Sequence, residues 1–195
     1  LVLRPLGLGA FGLTTFLLSL LNARVMNKAT EPVVLGVALA YGGVAQMLAG
    51  MWEFRNRNVF GATAFSTYGG FWMALGFFVT LVVLSKTAAA AVSGPSLLNA
   101  LAWFLLSFSI FNFYMLISST KVTIAVFLVF LTLQITECLL TAGFFTEAHG
   151  GSAWLTHAGG WAGIVTAAVA WYASAAGVLN GMSPERVVLP VGARS

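Results

Sequence analysis

The sequence predicts an all-α polytopic membrane protein with six transmembrane helices. Three observations carry that prediction. Hydrophobic residues make up 59% of the 195 and charged residues 7%, against roughly 25% charged in a soluble domain. The apolar residues gather in six stretches, each near the roughly 20 residues that a helix needs to cross a bilayer core. None of the stretches alternates strictly, and a helix satisfies every backbone group within itself, so helices are the spanning option. Disorder would need low hydrophobicity and high charge. A secreted disulfide scaffold would need more than Cys138, the one cysteine.

The elements follow in order. The first stretch covers about residues 6–22. It runs past any A-x-A-like cleavage site, so it reads as a span and not as a cleaved leader; the opening Leu1 points to native residues before it. The break from Asn22 to Pro32 holds Arg24, Lys28 and Glu31. The second stretch, about 33–52, ends at Glu53, Arg55 and Arg57. The third, about 61–84, stops before Lys86 and Gly94-Pro95. The fourth and fifth, about 97–118 and 123–145, are parted by a tight turn at Ser118 to Lys121. The sixth, about 154–179, follows Glu147 to Ser152 and leads into a polar tail. No internal repeat stands out, and residues 1–195 read as one transmembrane domain.

The net charge is +4. The basic residues are scattered singly at the ends of apolar stretches, which suits topology signals and headgroup contacts rather than nucleic acid. With the N-terminus inside, Arg4, Arg55, Arg57, Lys121, Arg186 and Arg194 fall on the cytoplasmic side and Arg24, Lys28 and Lys86 outside. Both termini are therefore expected in the cytoplasm, with the chain multi-pass in the cell membrane.

Polar residues recur at helical spacing within the spans, which places them on shared faces. Phe11, Thr15, Ser19 and Asn22 share one face, and Gly42, Gln46 and Glu53 another. Thr63, Ser66, Thr67 and Gly70 share a third, Ser109, Asn112 and Ser119 a fourth, and Gln134, Glu137 and Thr141 a fifth. His157 opens the sixth span. Any one stripe can be interhelical hydrogen bonding, at about 0.6 kcal/mol each. Stripes on five helices suit a narrow wet pathway for a small polar solute. Paired glycines, and the Gly159–Gly163 G-x-x-x-G pair, allow close helix packing within or between protomers.

Glu137 falls near the middle of the fifth span, where a charged carboxylate facing lipid costs at least about 2.5 kcal/mol. It must face protein or water, or carry a proton. A proton-linked carboxyl and a carboxyl held by Gln134 or a neighbouring helix both fit. Glu53, beside Arg55 and Arg57, reads as part of a surface salt-bridge cluster. His157 is a second candidate for proton linkage, or a packing residue, and His149 a solvated loop residue.

Chemistry that needs ligand clusters finds none in the sequence. Two His, one Cys and no Asp offer no metal set and no facing pair for haem. There is no G-x-S-x-G elbow and no phosphate-binding G-x-x-x-x-G-K-[ST] loop. Ser66 with His157 is the arithmetic candidate for an intramembrane protease, and nothing around Ser66 recommends it. No enzymatic activity and no cofactor are expected, and any transport must be passive or driven by an ion gradient.

The stretch Gly61-Ala62-Thr63-Ala64-Phe65-Ser66-Thr67-Tyr68-Gly69-Gly70-Phe71-Trp72 resembles the third-helix signature of the acetate uptake transporter family, which includes bacterial succinate–acetate permeases and fungal ammonia/acetate exporters. Pro5-Leu6-Gly7-Leu8 and Phe11-Gly12-Leu13-Thr14-Thr15 resemble its opening motif. Tyr41-Gly42-Gly43 through Gln46 and Met51-Trp52-Glu53 are similar to its second helix. His157-Ala158-Gly159-Gly160-Trp161 and Val188-Leu189-Pro190-Val191-Gly192 are similar to its last helix and tail. The resemblance implies a urea-channel-like bundle and a homohexamer with one pathway per protomer. It implies passage of acetate and related small carboxylates such as succinate, by an anion channel or a proton-coupled symporter. The family's hydrophobic constriction maps onto Phe11, Tyr68 and Leu133. From helical spacing, and not from the resemblance, Thr15, Ser19, Gln46, Thr63, Ser66, Thr67, Asn112 and Gln134 are the expected polar lining, with Glu137 and His157 as the candidates for proton linkage. Phe11 on the polar stripe makes a greasy neck in a polar lane, which an acetate methyl tolerates. Val2-Leu3-Arg4 departs from the family's Asn-Pro-Ala, and Glu137 and Gln134 replace residues expected to be apolar or hydroxylic. A channel for urea, ammonia or a small amide is the alternative.

Overall fold

The computed structural model describes residues 5–92, 94–183 and 185–192, without the side chains of Lys86 and Ala88. Val2-Leu3-Arg4 and Arg194, which enter the motif comparison and the charge count, lie outside the described residues, as does the Lys86 side chain. Among the described residues, six helices are long and apolar enough to cross a membrane. The first is α1 (Pro5–Asn22). The second span, Lys28–Arg55, is composite: a 3-10 turn (Lys28–Thr30), α2 (Glu31–Val37), a π-helical stretch (Ala38–Ala45) and α3 (Gln46–Arg55). Then come α4 (Val59–Leu84), a short α5 (Lys86–Ala91), α6 (Pro95–Ser119), α7 (Ile124–Ala148) and α8 (Trp154–Met182).

The breaks between helices have local causes. Asn58 caps α4 by accepting a hydrogen bond from Gly61 N at 3.2 Å, and Thr123 caps α7 by accepting one from Val126 N at 3.2 Å. Pro95 starts α6, where a missing N–H is harmless. The tail completes the α7 cap: Gly192 O and Val191 O accept from Ile124 N and Ala125 N at 2.9 and 3.1 Å. Gly192 adopts φ +61°, a conformation that favours glycine. Asn180 anchors the tail from α8, accepting from Val188 N and Leu189 N and donating to Leu189 O.

The spans form a ring. α1 packs along α8, α8 along α7, and α7 along α6. On the other side α1 meets the π-helical stretch, which packs with α3 on α4. Small residues make these approaches possible. A Cβ at Gly42 would lie 2.6 Å from Thr14 Oγ1 and 2.9 Å from Trp72 Cγ; one at Gly143 would lie 2.6 Å from Thr156 N, and one at Gly159 2.7 Å from Leu140 Cδ2. The joint between α4 and α6 closes the ring differently, through rings rather than backbone. Phe71 stacks on Phe104 at 5.1 Å and meets Phe108 edge-on at 4.9 Å, and Tyr68 meets Phe111 at 5.5 Å. Such pairs contribute about 0.5–1.5 kcal/mol each beyond their buried area.

Glu53 departs from its reading as a surface charge. It is 3% exposed, and its Oε2 accepts from Asn58 Nδ2 at 2.5 Å. The carboxylate thus holds the capping amide of α4, while Arg55 lies over the Trp52 ring at 5.4 Å. His149, the residue after α7, is exposed, with Nδ1 2.7 Å from Phe145 O.

Candidate functional site: a small cavity beside an aromatic pair

Phe11 on α1, Tyr68 on α4 and Leu133 on α7 are 4%, 3% and 6% exposed and line one small cavity. The Phe11 and Tyr68 rings meet edge-on at 5.6 Å. The cavity holds about 40 Å³, room for about three waters where one needs about 10–15 Å³. Its wall also carries Thr15, Ser19 and Asn22 from α1, Phe71 and Trp72 from α4, Leu105 from α6, and Thr136 and Glu137 from α7.

Beyond it, toward the end of the bundle where α1 finishes, a vestibule of about 720 Å³ opens. Leu18, Asn22, Trp72, Leu105 and Leu140 belong to both walls, so the two spaces adjoin. The vestibule is mostly leucine and valine, with Arg24, Asn27, Lys28 and Glu31 among its polar lining.

Three lining residues each bury a polar atom with no hydrogen-bond partner: Thr15 Oγ1, Trp72 Nε1 and Glu137 Oε2. Their residues are 5%, 2% and 3% exposed. A buried polar group without a partner costs about 1–3 kcal/mol, and three such groups on residues of one small wall single it out as the candidate site.

A chain of hydrogen bonds backs the wall. Gln134 Nε2 donates to Ser109 Oγ at 2.7 Å. Asn112 Nδ2 donates to Gln134 Oε1 at 2.9 Å and to Phe130 O at 3.0 Å. The Tyr68 hydroxyl lies 2.9 Å from Asn112 Oδ1 and 3.4 Å from Glu137 Oε1, and it has one proton for the two. A peptide carbonyl can only accept, so Phe130 O fixes the Asn112 amide with its oxygen toward Tyr68. The chain joins α6, α7 and α4 and sets the Tyr68 ring where it meets Phe11.

The expected lining residues divide. Thr15, Ser19 and Glu137 stand on the cavity wall. Asn112 and Gln134 lie behind it, in the hydrogen-bond chain. Gln46 is 1% exposed with Oε1 unpartnered, away from both spaces. Ser66 packs at the α3–α4 crossing, where a Cβ at Gly50 would lie 2.6 Å from Ser66 N. Thr63 and Thr67 are half-buried outside both walls. His157 is half-buried near the start of α8, with Nε2 unpartnered, and lines neither space. Sequence reasoning missed Trp72 as a site residue. Its signal was an indole N–H deep in a span, where no water offers an acceptor.

A family described as GPR1/FUN34/yaaH matches residues 4–191. Accumulation of dyads protein 2 of Saccharomyces cerevisiae is 42% identical over 89% of this chain and 60% of its own length. Acetate permease A of Emericella nidulans is 38% identical over 96% of this chain and 64% of its own. The chain thus spans less than two thirds of the length of these fungal relatives. A solved structure of the bacterial acetate channel SatP superposes with a TM-score of 0.86 at 33% identity, covering 98% of this chain and 99% of that one. With the match running through all six spans, the chain belongs to the GPR1/FUN34/yaaH family.

Proposed function

We propose that this protein carries acetate and related small carboxylates across the cell membrane, by transport and not catalysis, through one narrow pathway per protomer. The observation that carries this reading is the cavity itself. It is small, it is walled by aromatic and aliphatic side chains, and three of its lining residues each bury a polar atom without a partner. A short monocarboxylate has a methyl for the rings and a carboxyl for the polar atoms. The family relation to acetate permease A and to the SatP acetate channel supports the same substrate class.

Phe11, Tyr68 and Leu133 form the constriction in this reading. Both termini lie in the cytoplasm, which places the vestibule and its Arg24 and Lys28 outside, where cations raise the local concentration of anions. The protomers assemble as a homohexamer, with the exposed aromatic and aliphatic faces against lipid or a neighbouring copy.

The test is labelled-acetate uptake by reconstituted vesicles, with Phe11→Ala and Tyr68→Ala beside the wild type. Both variants are expected to assemble normally and to change flux or the ranking of acetate against succinate. Wild-type vesicles that take up urea or ammonia and ignore carboxylates would overturn the reading. Two variants indistinguishable from wild type would remove the constriction assignment.

A further inference from the structure

The vestibule divides its chemistry between its mouth and its depth. It holds about 720 Å³, within the roughly 300–1,000 Å³ of sites that enclose one drug-sized molecule. Its polar lining comes from one stretch of chain, Asn22 to Glu31, and the rest of its lining is apolar. α4 presents Trp72, Leu75, Val79, Val82 and Val83, which share one helical face. From Trp72 to Val83 that face runs about 16 Å at 1.5 Å per residue. The depth matches one leaflet, half of a hydrocarbon core about 30 Å thick. α6 adds Leu97, Leu98, Leu101 and Leu105. Trp72 and Leu105 also line the small cavity and so mark the floor. Leu75, Val79, Leu98 and Leu101 are only half-buried, and leave apolar surface in the vestibule. Water gains nothing from such a wall, whereas an alkyl chain laid along it leaves water.

The mouth carries the charge. Arg24 and Lys28 are exposed and Glu31 is half-buried, so two cations face one carboxylate and leave a single positive charge. Asn27 Oδ1 accepts from Ala29 N at 3.0 Å, which leaves its Nδ2 to donate outward. The loop is folded back on α1, with Val25 N and Met26 N donating to Leu20 O at 2.9 and 3.0 Å. Arg24 holds φ +56° there, a conformation uncommon outside glycine and asparagine, so its side chain leaves from a fixed turn. A net charge of one suits a monoanion, because Glu31 repels a second negative charge.

We propose that the vestibule binds one fatty-acid anion, its carboxylate at Arg24, Lys28 and Asn27 and its alkyl chain along α4 and α6 toward Trp72, and that this occupant blocks the pathway instead of following it. The adjoining cavity has room for about three waters, so a chain that fills the vestibule cannot continue through it. A lipid with two full chains is larger than a site of this class. The blocking rests on the transport reading above; the binding does not.

The experiment uses full-length protein in sealed phosphatidylcholine vesicles. Labelled acetate is exchanged at equal acetate and pH on both sides, so that acid leaking through the bilayer drives nothing. Binding of labelled decanoate is read against protein-free vesicles. Wild type is expected to bind one decanoate per chain and to lose acetate exchange as it does so. From hexanoate to decanoate, the free concentration needed should fall about fourfold per added methylene. Decanol, with the same chain and no charge, should be at least about tenfold weaker. Arg24→Asn with Lys28→Gln should weaken decanoate at least about tenfold, as a fraction of the variant's own exchange rate, and keep the gain per methylene; asparagine tolerates the turn at Arg24. Val79→Trp, which fills the middle of the vestibule, should end that gain at a shorter acid. Decanol as potent as decanoate overturns the proposal, as does wild-type affinity in the charge variant or potency indifferent to chain length. Phosphatidylglycerol vesicles that block exchange without added acid would give the site to a two-chain lipid and overturn it too. Wild type that exchanges acetate and binds no decanoate defeats the site alone, whereas wild type that binds decanoate and exchanges no acetate defeats the transport reading.

Discussion

Asn112→Leu measures what the hydrogen-bond chain contributes. Asn112 is fully buried and makes three hydrogen bonds: it accepts from Tyr68 and donates to Phe130 O and Gln134 Oε1. Leucine has nearly the same volume, so the change removes polar contacts and creates little empty space. Interhelical hydrogen bonds in membranes contribute about 0.6 kcal/mol on average and about 1.7 at most. Three of them predict a loss of about 2 kcal/mol, with a ceiling near 5. Two kcal/mol is about a thirtyfold shift in the folding equilibrium at 1.4 kcal/mol per tenfold. The assay is reversible unfolding in mixed micelles on titration with a denaturing detergent, followed by helical circular dichroism. Tyr68→Phe, which removes only the short bond to Asn112 and the longer contact to Glu137, gives the scale and should lose about 0.6 kcal/mol. Asn112→Leu should also alter acetate flux, because Tyr68 loses the acceptor that orients its ring against Phe11. An Asn112→Leu protein no less stable than Tyr68→Phe would refute the reasoning, since the amide would then be contributing only one bond.

Gly42→Ala should destabilise by about 1–3 kcal/mol, in the range of overpacked sites, because its Cβ would meet Thr14 and the Trp72 ring; the same unfolding titration reads it, together with a changed Trp fluorescence. Asn180→Ala removes three hydrogen bonds to the tail, about 1–2 kcal/mol where the groups are partly solvated. It should speed amide exchange at Ile124 and Ala125, whose N–H groups the tail caps, and leave exchange in the middle of α7 unchanged. Gly143→Leu should part α7 from α8 at the Thr156 contact and reduce assembled protein in detergent, as seen by size-exclusion chromatography.

The number of spans and their helical character were legible because length and apolarity alone determine them. The irregularity of the second span was not. The stretch from Ala38 to Ala45 keeps a helical composition throughout, and its π-helical winding arises where Gly42 and Gly43 let α1 and α4 come close. The burial of Glu53 was hidden for a similar reason. Neighbouring Arg55 and Arg57 offered an obvious pairing, whereas the Asn58 amide that it holds caps a helix the sequence did not delimit to the residue. Stripe spacing found Thr15, Ser19 and Glu137 on the wall, but periodicity cannot tell an inward face from a face turned to a neighbouring helix. Ser66 shows the ambiguity: it shares a stripe with Thr63 and Thr67 and packs at Gly50. Trp72 was passed over because an indole in a span counts as apolar by composition, while its one N–H is a buried polar atom without a partner.

The two kinds of joint in the ring assign different work to its two sides. Along α1, α8 and α7, glycines bring helices so close that an added Cβ would strike backbone or the first side-chain atoms of the neighbour. Those helices hold Phe11, Thr15, Leu133 and Glu137 on a frame that side-chain rotation cannot widen. Between α4 and α6 the separation is filled by Phe71, Phe104, Phe108 and Phe111, and rings can turn without the backbone moving. Tyr68 and Trp72 both stand on α4, facing the fixed side from the adjustable one. In the proposed pathway the width of the neck follows from the rotamers of aromatic side chains on α4, and one amide, Asn112, accepts the hydrogen bond that holds the Tyr68 ring. That is why a buried asparagine outside the cavity is expected to matter to the proposed pathway, whose wall it does not line.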